Sequence, residues 1–383
     1  MTDTDADNDT ALGAGPVEAL DSALLDGDVL MTGFPGFLAS RLVRELLAYE
    51  PEGQYFFLVE PRYRGQAEDR LEAIEQDFPG FEDSWEIVEG DITAEFLGLG
   101  EDTYTDLTDG INVVWHLAAI YDLAVAEAVA YRVNVRGTIH MLDFCEQCGD
   151  LERFNYVSTC YVSGTRGGTV YEDELDEGQG HNNHYESTKF WAEVEVQRRQ
   201  MHIPTAIFRP GIVVGDSRTG ETEKYDGPYY ILRALHKLPD WLPVPNIGEG
   251  RSVVSLVPVD FVTEAMAFVG LKDGADGQVY QLADPQPMRA KDIFALILDC
   301  MDKAPPIGRI PASLADVALR NEQLESLIEM PREVLTYFNH GARYDTTNAG
   351  RALEGTDIHC PHLSTYMQTL VDYFLRHPNN PGG

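Results

Sequence analysis

Asp28-Val29-Leu30-Met31-Thr32-Gly33-Phe34-Pro35-Gly36-Phe37-Leu38-Ala39 is the stretch that decides the fold. A short apolar run ends on a glycine, and a helical pattern follows from Phe37 through Leu47. That order describes a buried parallel strand feeding a helix. A glycine-rich turn at such a junction lets backbone approach a pyrophosphate, which the helix amino-terminal amides and dipole attract. The spacing Gly-x-x-Gly-x-x-Ala is loose, so its place after a strand carries more weight than the match itself. Thr32, Gly33, Phe34, Pro35, Gly36, Phe37 and Leu38 are the residues expected to hold phosphate.

Outward from this turn the pattern repeats. A second strand over 55–60 follows the turn signal Pro51-Glu52-Gly53, then come a helix over 66–76, strands over 85–88 and 113–117, a helix over 125–148, and strands over 153–158 and 205–208. Strands alternating with helices predict an α/β fold, a Rossmann-type doubly wound parallel sheet. After Gly215 the pattern breaks. Residues 216–251, rich in Gly, Pro and Tyr, read as loop and cap; 253–257 and 278–282 read as returning strands, and 290–377 as helices separated by prolines. The expected organisation is a disordered acidic leader over 1–25, a nucleotide-binding domain over 26–215 with returning strands at about 252–285, and a smaller, mainly helical substrate lobe built from 216–251 and 286–383.

The 383 residues carry a net charge of −36, with 64 acids against 28 lysines and arginines spread along the whole length. Such a surface stays hydrated at high ionic strength, where a Debye length of about 3 Å at 1 M screens self-repulsion. A salt-loving cytoplasm is the expected setting. No basic stripe exists to bind nucleic acid. The first residues lack the basic start and apolar segment of a secretory signal, and no stretch approaches the roughly 20 apolar residues of a membrane span. Five scattered cysteines describe no disulfide framework. Cys145 and Cys148 read as small helix residues, and His359, Cys360 and His362 lack a fourth ligand, so no metal is expected.

Lys189 is the first lysine of the chain and lies four residues after Tyr185 in Tyr185-Glu186-Ser187-Thr188-Lys189. Four apart on a helix is the same face. An ammonium beside the phenol would stabilise its anion and bring a pKa of about 10 toward neutrality, making Tyr185 a proton donor or acceptor. A chance surface pair is the ordinary reading of that spacing, and the rest of the chain must decide. Glu186 is expected to face elsewhere on the helix. Glu60, ending the second strand, can accept hydrogen bonds from ribose hydroxyls and repel a 2′-phosphate, which favours NAD. Arg62 and Arg64 follow at once and could pair with that phosphate, so NADP stays open.

Glycine turn, parallel pattern and Tyr-x-x-x-Lys helix, in this order, resemble the extended short-chain dehydrogenase/reductase family over residues 28–285. The resemblance places Asp91 and Ile92 of Gly90-Asp91-Ile92 near the adenine. It puts Leu117, Ala118 and Ala119 of His116-Leu117-Ala118-Ala119 beside the cofactor, and Pro210, Gly211, Ile212 and Val213 near the nicotinamide. It implies Thr159, Tyr185, Lys189 and Asn134 as the catalytic set. Counting back from Gly164 selects Thr159, with Ser158 a second candidate beside the cofactor. Ala39 stands where many members have glycine. Tyr185 would exchange a proton with the substrate oxygen, Thr159 would orient that oxygen, and Lys189 would lower the tyrosine pKa and bind the nicotinamide ribose.

Residues 157–164, 214–220 and 226–230 look most like the fatty acyl-CoA reductase and thioester reductase branch. That implies a carbonyl, alcohol or acyl-thioester as a small-molecule substrate, and the apolar, tyrosine-rich segment 225–242 suits a lipid-like or aromatic one. The alternatives are an NAD-dependent sugar-nucleotide epimerase or dehydratase and a non-catalytic NAD(P) sensor. A dehydratase would need an acidic pair where Cys160 and Tyr161 stand, and a sensor usually abandons the Tyr-Lys pair. The family often forms homodimers through the helices containing Asn134 and Tyr185.

Overall fold

The computed structural model describes residues 20–121, 125–311, 341–379 and 382. Seven strands form one parallel sheet: β1 Val29–Thr32, β2 Tyr55–Val59, β3 Trp85–Glu89, β4 Val113–His116, β5 Arg153–Val157, β6 Thr205–Pro210 and β7 Gln278–Leu282. Their spatial order is β3-β2-β1-β4-β5-β6-β7. β1, β4, β5 and β6 are buried along their whole length, as strands covered on both faces must be. The order reverses between β1 and β4, and in such sheets the crevice beyond the carboxyl ends at that point receives ligands.

Among the described residues the longer helices are α1 Phe37–Leu47, α2 Arg64–Asp77, α3 Glu101–Gly110, α4 Gly137–Cys145, α5 His184–Arg199, α6 Tyr229–His236, α7 Val259–Gly270, α8 Ala290–Cys300 and α9 Leu363–Arg376. Leu42, Val43 and Leu46 of α1 join Val262, Met266 and Val269 of α7 in a core on one face of the sheet. Leu107 of α3, Met141, Leu142 and Phe144 of α4, and Ala192 and Val196 of α5 build the core on the other. A third core gathers Leu232 and Leu235 of α6, Ile293 and Ile297 of α8, and Leu370 and Phe374 of α9.

Several expectations need correction. The leader is shorter than 1–25, because Ser22–Leu25 is helical, Leu24 is buried and Asp21 N–H donates to Leu271 O at 2.9 Å. Its remainder, 1–19, lies outside the described residues. Only 278–282 returns to the main sheet; Leu256–Pro258 pairs instead with Ile212–Val214 in a separate ladder. The helix over 125–148 divides into Glu127–Ala130, a π-helical turn Tyr131–Arg136, and α4.

The tail does not belong wholly to the third core. Ala342–Tyr344 pairs with Gly168–Val170, and Ala349, Leu353 and Ile358 pack into the first core. A single carboxylate fastens this return. Glu172, buried, accepts from Gln281 N at 2.8 Å on β7 and from Asn348 N and Ala349 N at the start of a short C-terminal helix. Burial still holds Glu172 above the usual carboxylate range, against the pull of those amides.

Candidate active site

The turn after β1 is built by exclusion of side chains. Gly33 has φ 91°, and a Cβ there would lie 2.8 Å from Ala118 N; a Cβ on Gly36 would lie 2.7 Å from Gly33 O. Only glycine lets this backbone run so close to the loop after β4. The neighbouring side chains serve the core rather than the crevice. Thr32 is fully buried with its hydroxyl on His116, Phe34 packs on Phe57 at 4.5 Å, and Leu38 backs onto the first core. Pro35 O accepts from Ser40 Oγ at 3.1 Å, and the Phe37 ring lies under the Arg41 guanidinium at 5.6 Å.

At the end of β2, Glu60 and Arg62 are paired with each other at 2.9 Å. Arg64 turns away to Glu68 and Glu89, at 2.8 and 3.0 Å. Each guanidinium expected to meet a 2′-phosphate already has a carboxylate partner. Beyond β3, Asp91 accepts from Thr93 N at 2.8 Å, and Ile92 packs against Gly137, where a Cβ would lie 2.7 Å from Ile92 Cδ1. Leu117, Ala118 and Ala119 are half-buried at the mouth of the loop after β4.

The start of α5 sets the tyrosine. Asn183 caps the helix by accepting from Glu186 N at 2.9 Å, while the Glu186 carboxylate reaches back to Asn182 N at 2.8 Å. This reciprocal closure is the logic of a capping box and fixes Tyr185 in the first turn. Burial pushes the Tyr185 phenol up to about 12; contact with the Thr159 hydroxyl pulls it down, while Glu186, Tyr121 and Cys160 raise it further. The Glu186 carboxylate faces Asn182, as expected, and bears on the phenol only through its charge.

Lys189 does not supply the expected lowering. Its ammonium donates to Tyr156 Oη at 2.9 Å and to Val157 O at 2.7 Å, beneath the end of β5. Burial brings this lysine down to about 7 from 10.5, opposed by Glu193 one turn further on. A compact cation on a long stem follows its hydrogen-bond acceptors, and those lie on β5.

Thr159 and Ser158 divide their tasks. Thr159 Oγ1 accepts from Tyr161 N at 3.3 Å and faces Tyr185. Ser158, the second candidate, donates its hydroxyl to Glu193 and its N–H to Phe208 O, so its side chain is spent below the crevice. Glu193 in turn pairs with Arg209 of β6, and both are fully buried. Asn134 sits in the π-helical turn, a distortion that often marks functional positions. Its amide donates to Ile120 O and Thr188 Oγ1, both at 3.0 Å, and its oxygen accepts from Ile120 N at 2.8 Å, fixing the loop after β4 against α5. Pro210 is buried at the end of β6, while Gly211, Ile212 and Val213 are half-buried beyond it; a Cβ on Gly211 would lie 2.8 Å from Ser255 Oγ.

The segment after β6 crosses back over the sheet face. Arg41 of α1 holds Asp216 at 3.1 Å and Glu221 at 2.6 Å, Arg70 of α2 holds Glu223, and Lys224 lies 4.2 Å from the ring centroid of Tyr121. Sequence reading missed Tyr121, Tyr156, Glu193 and Lys224. Tyr156 stands in the buried run Arg153-Phe154-Asn155-Tyr156-Val157, where an aromatic is an ordinary strand residue and nothing marks it.

Among the described residues no group of three His, Cys, Asp or Glu could hold a metal ion. Cys145 ends α4 and Cys148 lies just beyond it, not on the helix as expected; burial pushes Cys145 well up and Cys148 up to about 12, which keeps both as thiols.

Residues 31–266 match the family of NAD-binding domains described as Male sterility protein. A non-canonical nonribosomal peptide synthetase, FrzA of a Cladobotryum species, is 24% identical over 91% of this chain and 36% of its own length. The fatty acyl-CoA reductase wat of Drosophila melanogaster is 26% identical over 63% of this chain and 53% of its own length. The chain thus spans about half or less of these curated relatives. Among solved structures, the terminal R domain from the myxalamid PKS-NRPS pathway superposes with a TM-score of 0.76 at 23% identity, covering 94% of this chain and 97% of that one. With the family match running from the phosphate turn through α5 to α7, the chain belongs to the Male sterility family of NAD-binding domains.

Proposed function

We propose that this chain is an NAD-dependent reductase of carbonyl or acyl-thioester substrates, with Tyr185 as proton donor. The observation that carries the reading is the Tyr185 phenol, protonated at neutral pH as a tyrosine ordinarily is, set against the Thr159 hydroxyl beyond β5. A phenol with its proton in place suits delivery to a carbonyl oxygen as that oxygen becomes an alkoxide. The residues present fit the dinucleotide. Gly33 and Gly36 leave a cradle that any Cβ would fill, and Glu60 stands where ribose hydroxyls need an acceptor. When bound, NADH supplies the hydride.

Each side chain then has a task. The amides after Gly33 and at the start of α1 hold pyrophosphate; Asp91 and Ile92 flank the adenine; Leu117 to Ala119 and Pro210 to Val213 line the nicotinamide end. Thr159 orients the substrate oxygen, Tyr185 gives it a proton from Oη, and Asn134 keeps the loop after β4 in register with α5. Lys189 has an N–H left beyond Tyr156 and Val157 O, which suits a ribose hydroxyl. The substrate class rests on relatives whose names are fatty acyl-CoA reductases and aldehyde reductases. A sugar-nucleotide epimerase shares the fold but finds less support here. We assign 26–215 with about 252–285 to the nucleotide and the third core, with its apolar α6, to the substrate.

The test uses NADH with octanoyl-CoA and octanal in strong salt. Tyr185→Phe should lower turnover on the order of 10²–10⁴-fold and leave NADH binding nearly unchanged; undiminished turnover would sink the assignment. The acidic surface fits a high-salt cytoplasm. Trp191 on α5 and Tyr131 in the π-helical turn, 49% and 47% exposed, favour a homodimer through these helices.

A further inference from the structure

Three adjacent strands carry a polar residue at one level of the sheet. Thr32 of β1 stands in register with His116 of β4, and His116 with Tyr156 of β5. All three are buried, at 0–1% exposure. Residues in register on neighbouring strands point to the same face, here the face covered by α4 and α5. Thr32 Oγ1 and His116 Nδ1 are 2.7 Å apart, and His116 Nε2 and Thr138 Oγ1 of α4 are 3.1 Å apart. Thr138 also lies within hydrogen-bonding reach of the Tyr156 phenol, whose oxygen receives Lys189 Nζ at 2.9 Å.

The protons can be assigned by exhaustion of donors. The Thr138 hydroxyl donates to Asn134 O at 2.7 Å, so it accepts from His116 Nε2, and Nδ1 of the neutral ring is left to accept the one proton of Thr32. With the Thr138 proton spent, Tyr156 is the donor to Thr138 and keeps its lone pairs for Lys189. Burial takes His116 down to about 3, so the ring stays neutral and the direction of the row is fixed at any working pH. The groups facing Lys189 are His116 on β4, Tyr156 on β5 and Glu193 on its own helix.

We propose that Tyr156 is a positioning residue for Lys189, its phenol oxygen locked by the Thr138–His116–Thr32 row so that it and Val157 O take two ammonium hydrogens and aim the third at the crevice. This rests on reading Lys189 as part of the active site. A lysine stem alone is floppy, with about 2 kcal/mol of rotamer entropy, and one turn of helix from Tyr185 does not fix where its nitrogen points. The row ties that nitrogen to the strand carrying the phosphate turn.

The experiment is ¹⁵N NMR of the lysine ammonium groups across pH in the full chain, which is poor enough in lysine for Lys189 to be assigned with Lys189→Met. Tyr156→Phe removes an acceptor from the charged form, so Lys189 should titrate lower by about one pH unit. Thr138→Val keeps the phenol but removes the group that orients it and should give a smaller shift in the same direction. The basic limb of the NADH-dependent reduction of octanal should move with the titration. Lys189 titrating as in wild type in every variant that folds would overturn the proposal, and Thr138→Val alone decides if Tyr156→Phe does not fold. The titration needs no turnover, so absence of octanal reduction in the wild type would count against the reductase reading and not against this one.

Discussion

The two ends of the crevice use the same pair of groups, guanidinium and carboxylate, in opposite surroundings. Between β6 and α5, Arg209 and Glu193 meet at 1% and 0% exposure, with Ser158 and Gln197 also on the carboxylate. Beyond β2 and β3, Arg62 and Glu60 meet at 66% and 40% exposure. Salt reaches the second pair and not the first. The difference teaches that a highly acidic chain can keep one end of its crevice indifferent to ionic strength while the other stays exchangeable. A sealed pair costs much to break, because the survivor is left charged without water. An exposed pair is partly replaced by solvent and ions.

The comparison can be broken at either end. Arg209→Leu should cost about 3–5 kcal/mol in chemical denaturation, with little dependence on salt, because Glu193 is left buried without its guanidinium partner. Arg209→Leu with Glu193→Leu should recover most of that loss, and a double variant as unstable as the single one would mean that packing, not charge, governs this end. At the other end, Glu60→Gln releases Arg62 and removes the repulsion of a 2′-phosphate. The NADP(H) to NAD(H) affinity ratio should rise roughly tenfold in paired titrations, and an unmoved ratio would take discrimination away from Glu60. The smallest effect is expected from Arg64→Ala. Its melting temperature should match wild type in strong salt, and a drop as large as that of Arg209→Leu would erase the distinction.

The alternating frame was legible because buried parallel strands are unbroken apolar runs and the glycine turn marks where one feeds a helix. Tyr185, Lys189 and Thr159 were legible because their spacing is local to one helix or one strand end. The elements that escaped lack a local signal. α3, Glu-Asp-Thr-Tyr-Thr-Asp-Leu-Thr-Asp-Gly, buries only Tyr104, Leu107 and Thr108, a face one turn long that does not stand out among acids, and α7 is buried on nearly every side and shows no stripe at all. What Lys189 touches was not legible either. Its acceptors come from a strand over thirty residues upstream, and helix spacing places an ammonium near a phenol without saying which acceptor wins.

Glu172 has a practical consequence for anyone dividing this chain. Its amide partners lie on β7 and more than 170 residues downstream, so the last stretch is a rivet through the edge of the sheet. A fragment ending before Asn348 would keep every described strand and all four proposed catalytic residues, yet would leave a buried carboxylate facing vanished amides beside β7. Shortened versions of this protein are therefore better made by replacing Glu172 together with the tail than by trimming the tail alone.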